Sequence, residues 1–332
     1  MQDTIPLAHA WGGGEVAVAD GLRFVVPVRS AHAGASRRYF GTKRGITWYH
    51  WMVDQYMDIH STVVTGTLKD APYVLDGILE QETHHRPREV ITDTGGYSDI
   101  VFGLFWLLGY QFSPRLADLG DARIWRMNHQ TDYGILNDLA RQKIIRDLVI
   151  ENWDDILRAA GSLQMSTVKA SELIKSFHRA GRASTLGRAI GEIGRIAKSL
   201  FLLSYVDDET YRRRVLIQLN RIEHRHRLAG NICFGKKGRI YKQYREGQED
   251  QLNALGLVMN MVVLWTTRYM DAALKHLRES GFEVREEDVE RLSPLVSHHI
   301  NFVGKYHFSL PEEVERGELR PFHNPEDLAN II

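Results

Sequence analysis

Short β-prone runs fill the sequence as far as residue 114 and then stop. From about residue 122 to 203 there is no proline and little alternation, while Leu, Ile and Ala recur at helical spacing. A chain patterned this way builds its sheet from the first third and covers it with helices from the remainder, an α/β fold. Its 332 residues, 43% of them hydrophobic, suffice for one large domain or two around a proper core.

Within the first third, residues 15–19 and 22–28 read as two strands joined by a hairpin at Asp20-Gly21. Residues 46–52 and 60–65 read as further strands, and 71–82 as a helix with apolar residues at 74, 75, 78 and 79. Residues 88–92 form a strand ending at Asp93, followed by the turn Thr94-Gly95-Gly96. Residues 98–108 read as a buried helix and 110–112 as a last short strand. The helical stretch 122–205 is expected to break near Gly161, Gly181 and Gly187. Asp207 or Asp208 caps a helix through Tyr211, Val215, Leu219 and Ile222 to about Leu228. A long helix over 250–278 stops at Gly281. Beyond Phe282 the chain is acidic, carries Pro294, Pro311, Pro321 and Pro325, and reads as a loosely packed tail.

A single cysteine, Cys233, rules out an internal disulfide and a Cys-rich zinc site, and reads as core rather than nucleophile. The longest apolar runs, 101–110 and 255–265, fall short of the ~20 residues of a membrane span. The N-terminus has no basic and apolar leader pattern, so a soluble intracellular protein is expected. Charges balance at 42 basic and 42 acidic residues, but 179–245 holds 16 Lys/Arg against 5 Asp/Glu. That segment is either a phosphate-binding face or a solvated surface paired with the acidic tail from Glu279 to Asp327.

Three carboxylates stand out by position. Asp20 and Asp93 each end a predicted strand, and Glu223 follows Leu219 by one turn on the apolar seam of its helix. Acids at neighbouring strand ends can converge, and a helix crossing the sheet can add a third, a set of hard oxygen ligands for Mg2+ or Mn2+. Each also has a plainer reading: a turn residue, a cap, and an exposed helical acid beside Arg221 and Arg225. His84-His85 and His298-His299 are adjacent pairs that cannot face one ligand, and of His224 and His226 at most one shares the face of Glu223. Asp54 and Asp58 are weaker metal candidates. There is no HExxH, P-loop or GxSxG pattern.

The run Ile91-Thr92-Asp93-Thr94-Gly95-Gly96-Tyr97-Ser98-Asp99 resembles the second-aspartate motif of the Tn3 family of replicative transposases. So does Gly109-Tyr110-Gln111-Phe112-Ser113-Pro114-Arg115-Leu116-Ala117-Asp118-Leu119. Upstream, Trp11-Gly12-Gly13-Gly14 with Ala19-Asp20-Gly21-Leu22-Arg23-Phe24 is similar to the first-aspartate segment. Downstream, Glu192-Ile193-Gly194-Arg195-Ile196, Arg212-Arg213-Arg214-Val215 and Leu219-Asn220-Arg221-Ile222-Glu223 follow in the family's order, and the resemblance spans about 7–280. One departure is Ile222, where the family usually has glycine.

The resemblance implies a ribonuclease H-like mixed sheet with an all-helical insertion before the helix carrying the catalytic glutamate. In residue terms, 1–121 is the first part of the core, 122–205 the insertion, 206–281 the core completion and 282–332 the tail. It implies a DDE triad of Asp20, Asp93 and Glu223 holding two divalent ions, Mg2+ or Mn2+. The implied activity is DNA 3′-end cleavage and strand transfer in cointegrate-forming transposition. The alternatives are a binding or assembly fragment without activity, and a simple metal-dependent nuclease. Arg221, Arg225, Arg227, Lys236, Lys237 and Arg239, around and after Glu223, are expected to contact DNA phosphates. Transposon-end and target DNA, self-association in a transpososome and a bacterial, nucleoid-associated cytoplasmic location complete the expectation. Family members are much longer, so the chain reads as the catalytic portion.

Overall fold

The computed structural model describes residues 1–65, 71–117, 120, 123–128, 130–179, 182–304 and 316. Six strands form one mixed sheet. Strand β1 (Val16–Val25) is followed by the two-residue β2 (Gly34–Ala35), then by β3 (Arg44–Val53) and β4 (Asp58–Thr65). β1 and β3 pair antiparallel from Ala17↔Val53 to Val25↔Gly45. β4 and β2 take the other side of β3, both antiparallel. β5 (Glu89–Thr92) lies parallel to β1, and β6 (Gln111–Pro114) lies parallel to β5. Parallel neighbours need crossover connections, and the helical segments between β4, β5 and β6 provide them.

The helices follow in chain order. Two single turns, α1 (Pro6–His9) and α2 (Arg37–Phe40), precede α3 (Val74–Glu80) and α4 (Asp99–Leu107). Then come α5 (Arg146–Glu151), α6 (Trp153–Gln164), α7 (Ala170–Ser176) and α8 (Thr185–Asp207). The last are α9 (Glu209–Ile232), α10 (Arg245–Glu279) and the short α11 (Glu286–Val289). Ser98 caps α4, Ser184 caps α8 and Asp208 caps α9 through their side-chain oxygens. α4 and α8 meet backbone to backbone. A Cβ on Gly194 would sit 1.6 Å from the Asp99 carbonyl oxygen, so only glycine fits there. α9 lies across β1 and β5, with Tyr211, Val215, Leu219, Ile222 and Leu228 on its buried face.

Several expectations are corrected. Residues 16–25 are one continuous strand, so Asp20-Gly21 is not a hairpin. Gly21 is there for close packing: a Cβ on it would lie 2.6 Å from Thr47 and 3.1 Å from the Tyr49 ring on β3. The segment 122–205 is not all-helical, because β7 (Trp125–Arg126) pairs with β8 (Gln142–Lys143), and β9 (His178–Arg179) with β10 (Arg182–Ala183). The extended run at β7 is held by Arg126, whose guanidinium reaches the carbonyl oxygens of Ala140 and Asn137. Gly161 stays inside α6, and the break comes instead after Gln164. The predicted break at Gly181, the boundary at 121–122 and the tail prolines at 311, 321 and 325 lie outside the described residues. No helix among the described residues is long and apolar enough to cross a membrane.

Candidate active site

Asp20 stands in the middle of β1, directly opposite His50 on β3. On the other side of β1, Ala19 pairs with Thr92 of β5, so Asp20 and Asp93 are the next residues along two parallel strands. Such strands run about 4.8 Å apart. Asp93 is exposed, and its Oδ1 accepts a 3.0 Å hydrogen bond from the Gly95 amide at the turn that closes the strand. Glu223 comes from the middle of α9. Leu219 and Ile222 face the core, whereas the Glu223 side chain is 67% exposed, off the apolar seam where the sequence placed it. Ile222 is fully buried, so the departure from the family pattern adds core packing.

Asp20, Glu223 and His226 each offer a ligand atom, all within 4.8 Å of one another. His226 Nδ1 lies 3.9 Å from Asp20 Oδ2 and 3.7 Å from Glu223 Oε2. Burial raises the pKa of the Asp20 carboxyl, and the charge of Asp93 adds to that, against the opposing pull of His226. Glu223 is held below its ordinary range, first by the neighbouring His226. Two carboxylates and an imidazole converging in this way can hold a divalent cation. Sequence reasoning passed over His226, although its i+3 spacing from Glu223 was the available signal.

Behind His226 runs a buried polar chain. Its Nε2 is 2.9 Å from Nε2 of His50, and His50 Nδ1 is 2.9 Å from Asp58 Oδ1. Asp58 Oδ2 accepts from Arg225 at 2.9 Å, and Arg225 also donates to the Tyr56 carbonyl and to Asn260 Oδ1, at 2.8 and 2.6 Å. Burial alone would raise the Asp58 carboxyl, but Arg225 and His50 outweigh it and hold the group low. His50 is fully buried, which depresses its pKa.

These contacts revise the expected phosphate-binding set. Arg225 is completely buried in the ion pair with Asp58 and faces no solvent. Arg221 is half-buried, donating to the carbonyl oxygens of Trp11 and Asp54 and stacking over Tyr56 at 4.8 Å. Both arginines sit on α9 positions turned toward the sheet, where a buried guanidinium must find carbonyl or carboxylate partners. Arg227, Lys236 and Lys237 are exposed and Arg239 half-exposed. Lys236 and Lys237 have positive φ, 51° and 59°, in the loop after α9, with the Lys236 ammonium 4.8 Å from the Tyr241 ring. The tail acids Glu286 and Asp288 pair with Arg278, Arg285 and Arg291, not with the basic segment.

Asp54, a weaker metal candidate, binds backbone instead: its Oδ1 accepts from the Gly14 amide at 2.8 Å. Burial raises its pKa from 3.8 to about 6. The folded chain therefore takes up this proton more readily than the unfolded chain. Its ionisation costs stability above pH 6, and that cost disappears as the pH falls toward 4. Asp54→Asn is expected to be more stable than the parent at pH 7, by up to about 3 kcal/mol, and to lose that advantage at pH 4. Thermal melts at the two pH values check this, and an unchanged or lower Tm at pH 7 refutes it.

β1 with Asp20, the end of β5 just before Asp93, and the crossing helix α9 define a mixed α/β domain in which Asp20, Glu223 and His226 form a cluster suited to a divalent cation. The chain belongs to the Tn3 transposase DDE domain family, whose model matches residues 1–306. It is 56% identical over 320 residues to the transposase for transposon gamma-delta of Escherichia coli (strain K12), covering 96% of this chain and 32% of that protein. It is 48% identical over 323 residues to the transposase for transposon Tn4556 of Streptomyces fradiae, covering 97% and 36%. Identity to the transposase for transposon Tn1546 of Enterococcus faecium is 35% over 317 residues, covering 96% and 32%. The chain thus spans about a third of the length of these curated relatives.

Proposed function

We propose that this chain carries the DNA chemistry of a replicative transposase: cleavage at transposon 3′ ends and transfer of the freed 3′-hydroxyl into target DNA, with cointegrates as the product. The observation that supports this most is the approach of Asp20 and Glu223 beside the strand end at Asp93, within a chain matched along 1–306 by the DDE family. Asp20, Asp93 and Glu223 would hold two divalent ions, and their oxygen donors suit Mg2+ or Mn2+. When bound, such ions lower the pKa of the nucleophile and stabilise the leaving oxygen.

The residues themselves supply position and charge. β1 carries Asp20, the end of β5 at Thr92 leads directly into Asp93, and the Gly21 amide, 2.7 Å from Asp20 Oδ1, orients the first carboxylate. His226 faces Glu223 across 3.7 Å and lowers the pKa of its carboxyl. Hydrolysis and joining both proceed by direct attack of an oxygen on phosphorus, so no Tyr or Ser nucleophile is required. The sheet, with β4, β3 and β1 antiparallel in turn, the two-residue β2 also on β3, and β5 and β6 parallel to β1, supports a ribonuclease H-like core over 1–121 and 206–281, with 122–205 inserted and 282–332 as a tail. α8, inside the proposed insertion, packs directly on α4 of the core and would fix its placement. Transposon-end and target DNA are the proposed partners, with self-association in a transpososome and a nucleoid location. The test is Mg2+-dependent joining of pre-cleaved transposon ends to target DNA by this chain. Joined product is expected; cleavage without joining, or binding alone, overturns the proposal.

Arg227, Lys236, Lys237 and Arg239 remain the proposed phosphate contacts. Lys236→Ala/Lys237→Ala is expected to flatten the dependence of log DNA affinity on log salt by about two units of slope. Fluorescence anisotropy from 50 to 200 mM salt measures it, and an unchanged slope removes the lysines from the DNA face.

A further inference from the structure

We propose that His226 is a nitrogen ligand of the divalent ion at this site, presented to it by the buried chain His50–Asp58–Arg225. The inference rests on the functional reading above and adds a residue to it. The donor pattern of the chain fixes which nitrogen of His226 is available. Asp58 is a carboxylate paired with Arg225 at 2.9 Å, so it can only accept, and the hydrogen in its 2.9 Å contact with His50 belongs to His50 Nδ1. His50 is fully buried and stacked on Trp48, with ring centroids 4.7 Å apart and planes at 13°. A neutral imidazole in that slot keeps a lone pair on Nε2. The 2.9 Å contact between the two Nε2 atoms holds one hydrogen, which therefore comes from His226.

With Nε2 committed to His50, Nδ1 is the nitrogen that His226 presents to Asp20 and Glu223, at 3.9 and 3.7 Å. Those spacings leave room for a cation between the three groups, with Nδ1 as one of its ligands. The His226 side chain is only 9% exposed, and its ring is further fixed by an edge contact with His50, centroids 5.1 Å apart. This is how metal-binding histidines are oriented: the distal N–H is tied to an acceptor so that the other nitrogen points one way. Mixing imidazole with carboxylates shifts preference from Mg2+ toward Mn2+ and other transition ions.

The probe is Mn2+ alone, titrated into the whole chain and followed by electron spin-echo spectroscopy and by free-Mn2+ measurement. The expected result is imidazole nitrogen coupling on bound Mn2+ that disappears in His226→Gln. Mn2+ affinity in that variant should fall about tenfold or more, with Mg2+ affinity much less affected. Glu223→Gln, an exposed position that leaves the core intact, should weaken the same Mn2+ site. His50→Leu should keep the nitrogen coupling but bind Mn2+ more weakly, its His226 ring no longer being held. Mn2+ bound through Asp20 without nitrogen coupling overturns the inference and leaves the functional reading standing. Mn2+ binding that is indifferent to Asp20→Asn and Glu223→Gln overturns both. Nitrogen coupling that survives at full strength in all these variants places the ligand elsewhere and overturns the inference.

Discussion

Asp20→Asn is expected to abolish Mg2+-dependent joining of pre-cleaved ends while raising the melting temperature at pH 7. The two effects have one origin. Asp20 is largely enclosed in the middle of β1 next to the Asp93 charge, and both influences disfavour its ionised form. Keeping that charge costs the fold stability at neutral pH, because the folded carboxyl titrates above its unfolded counterpart. Asparagine has the same shape and can still accept from the Gly21 amide, so the substitution removes the penalty and leaves the strand pairing alone. The lost oxygen anion is nevertheless a proposed metal ligand. Metal-ion charge stabilisation is worth several kcal/mol, at 1.36 kcal/mol per decade of rate, so joining should fall by roughly three orders of magnitude. Joining rates and thermal melts on the same preparation test it. Near-normal joining removes Asp20 from the site, and a lowered Tm shows that the carboxylate is structural.

Arg225→Ala is expected to destabilise the chain by about 3–5 kcal/mol, because it removes the guanidinium from the buried Asp58 carboxylate and leaves it the contact with His50. The same substitution in an Asp58→Asn background should cost much less, since the neutral amide needs no counter-charge. Urea unfolding of the four proteins in this cycle measures both values. A cost under about 1 kcal/mol for the single variant would show that the guanidinium is hydrated and return Arg225 to the DNA-facing set. The result matters for the basic segment as a whole. Within it, Arg221 and Arg225 hold α9 to its neighbours, while Arg227, Lys236 and Lys237 meet solvent.

The positions of the three acids were legible in the sequence, but their surroundings were not. Asp93 is where the strand reading placed it, because Thr94-Gly95-Gly96 marks the strand end locally. Asp20 was picked for a turn that does not exist. Gly21 looks like half of a hairpin signal, and only the Thr47 and Tyr49 side chains on β3 explain why a strand needs glycine there. For α9, the cap at Asp208 and the apolar period were readable, and they located Glu223 within the correct helix. The same period did not reveal that Arg225 belongs to the buried face, since arginine reads as polar wherever it falls.

By itself, then, the sequence determined most of the elements around the sheet, Asp93 at a strand end, Glu223 within its helix, and membership of the DDE family. Those follow from local signals: glycine turns, caps, periodicity and short motifs. Only the tertiary structure decided that His226 joins Asp20 and Glu223, that His50 stands behind it, and that Arg225 serves Asp58 instead of a phosphate. His50 lies on β3, where nine consecutive residues are buried and no alternation marks a special face. Its partners come from α9, 176 residues away, and from β4. The hydrogen bonds that give these side chains their roles join residues the chain brings together only when α9 crosses the sheet. No local pattern records which buried polar group will satisfy another.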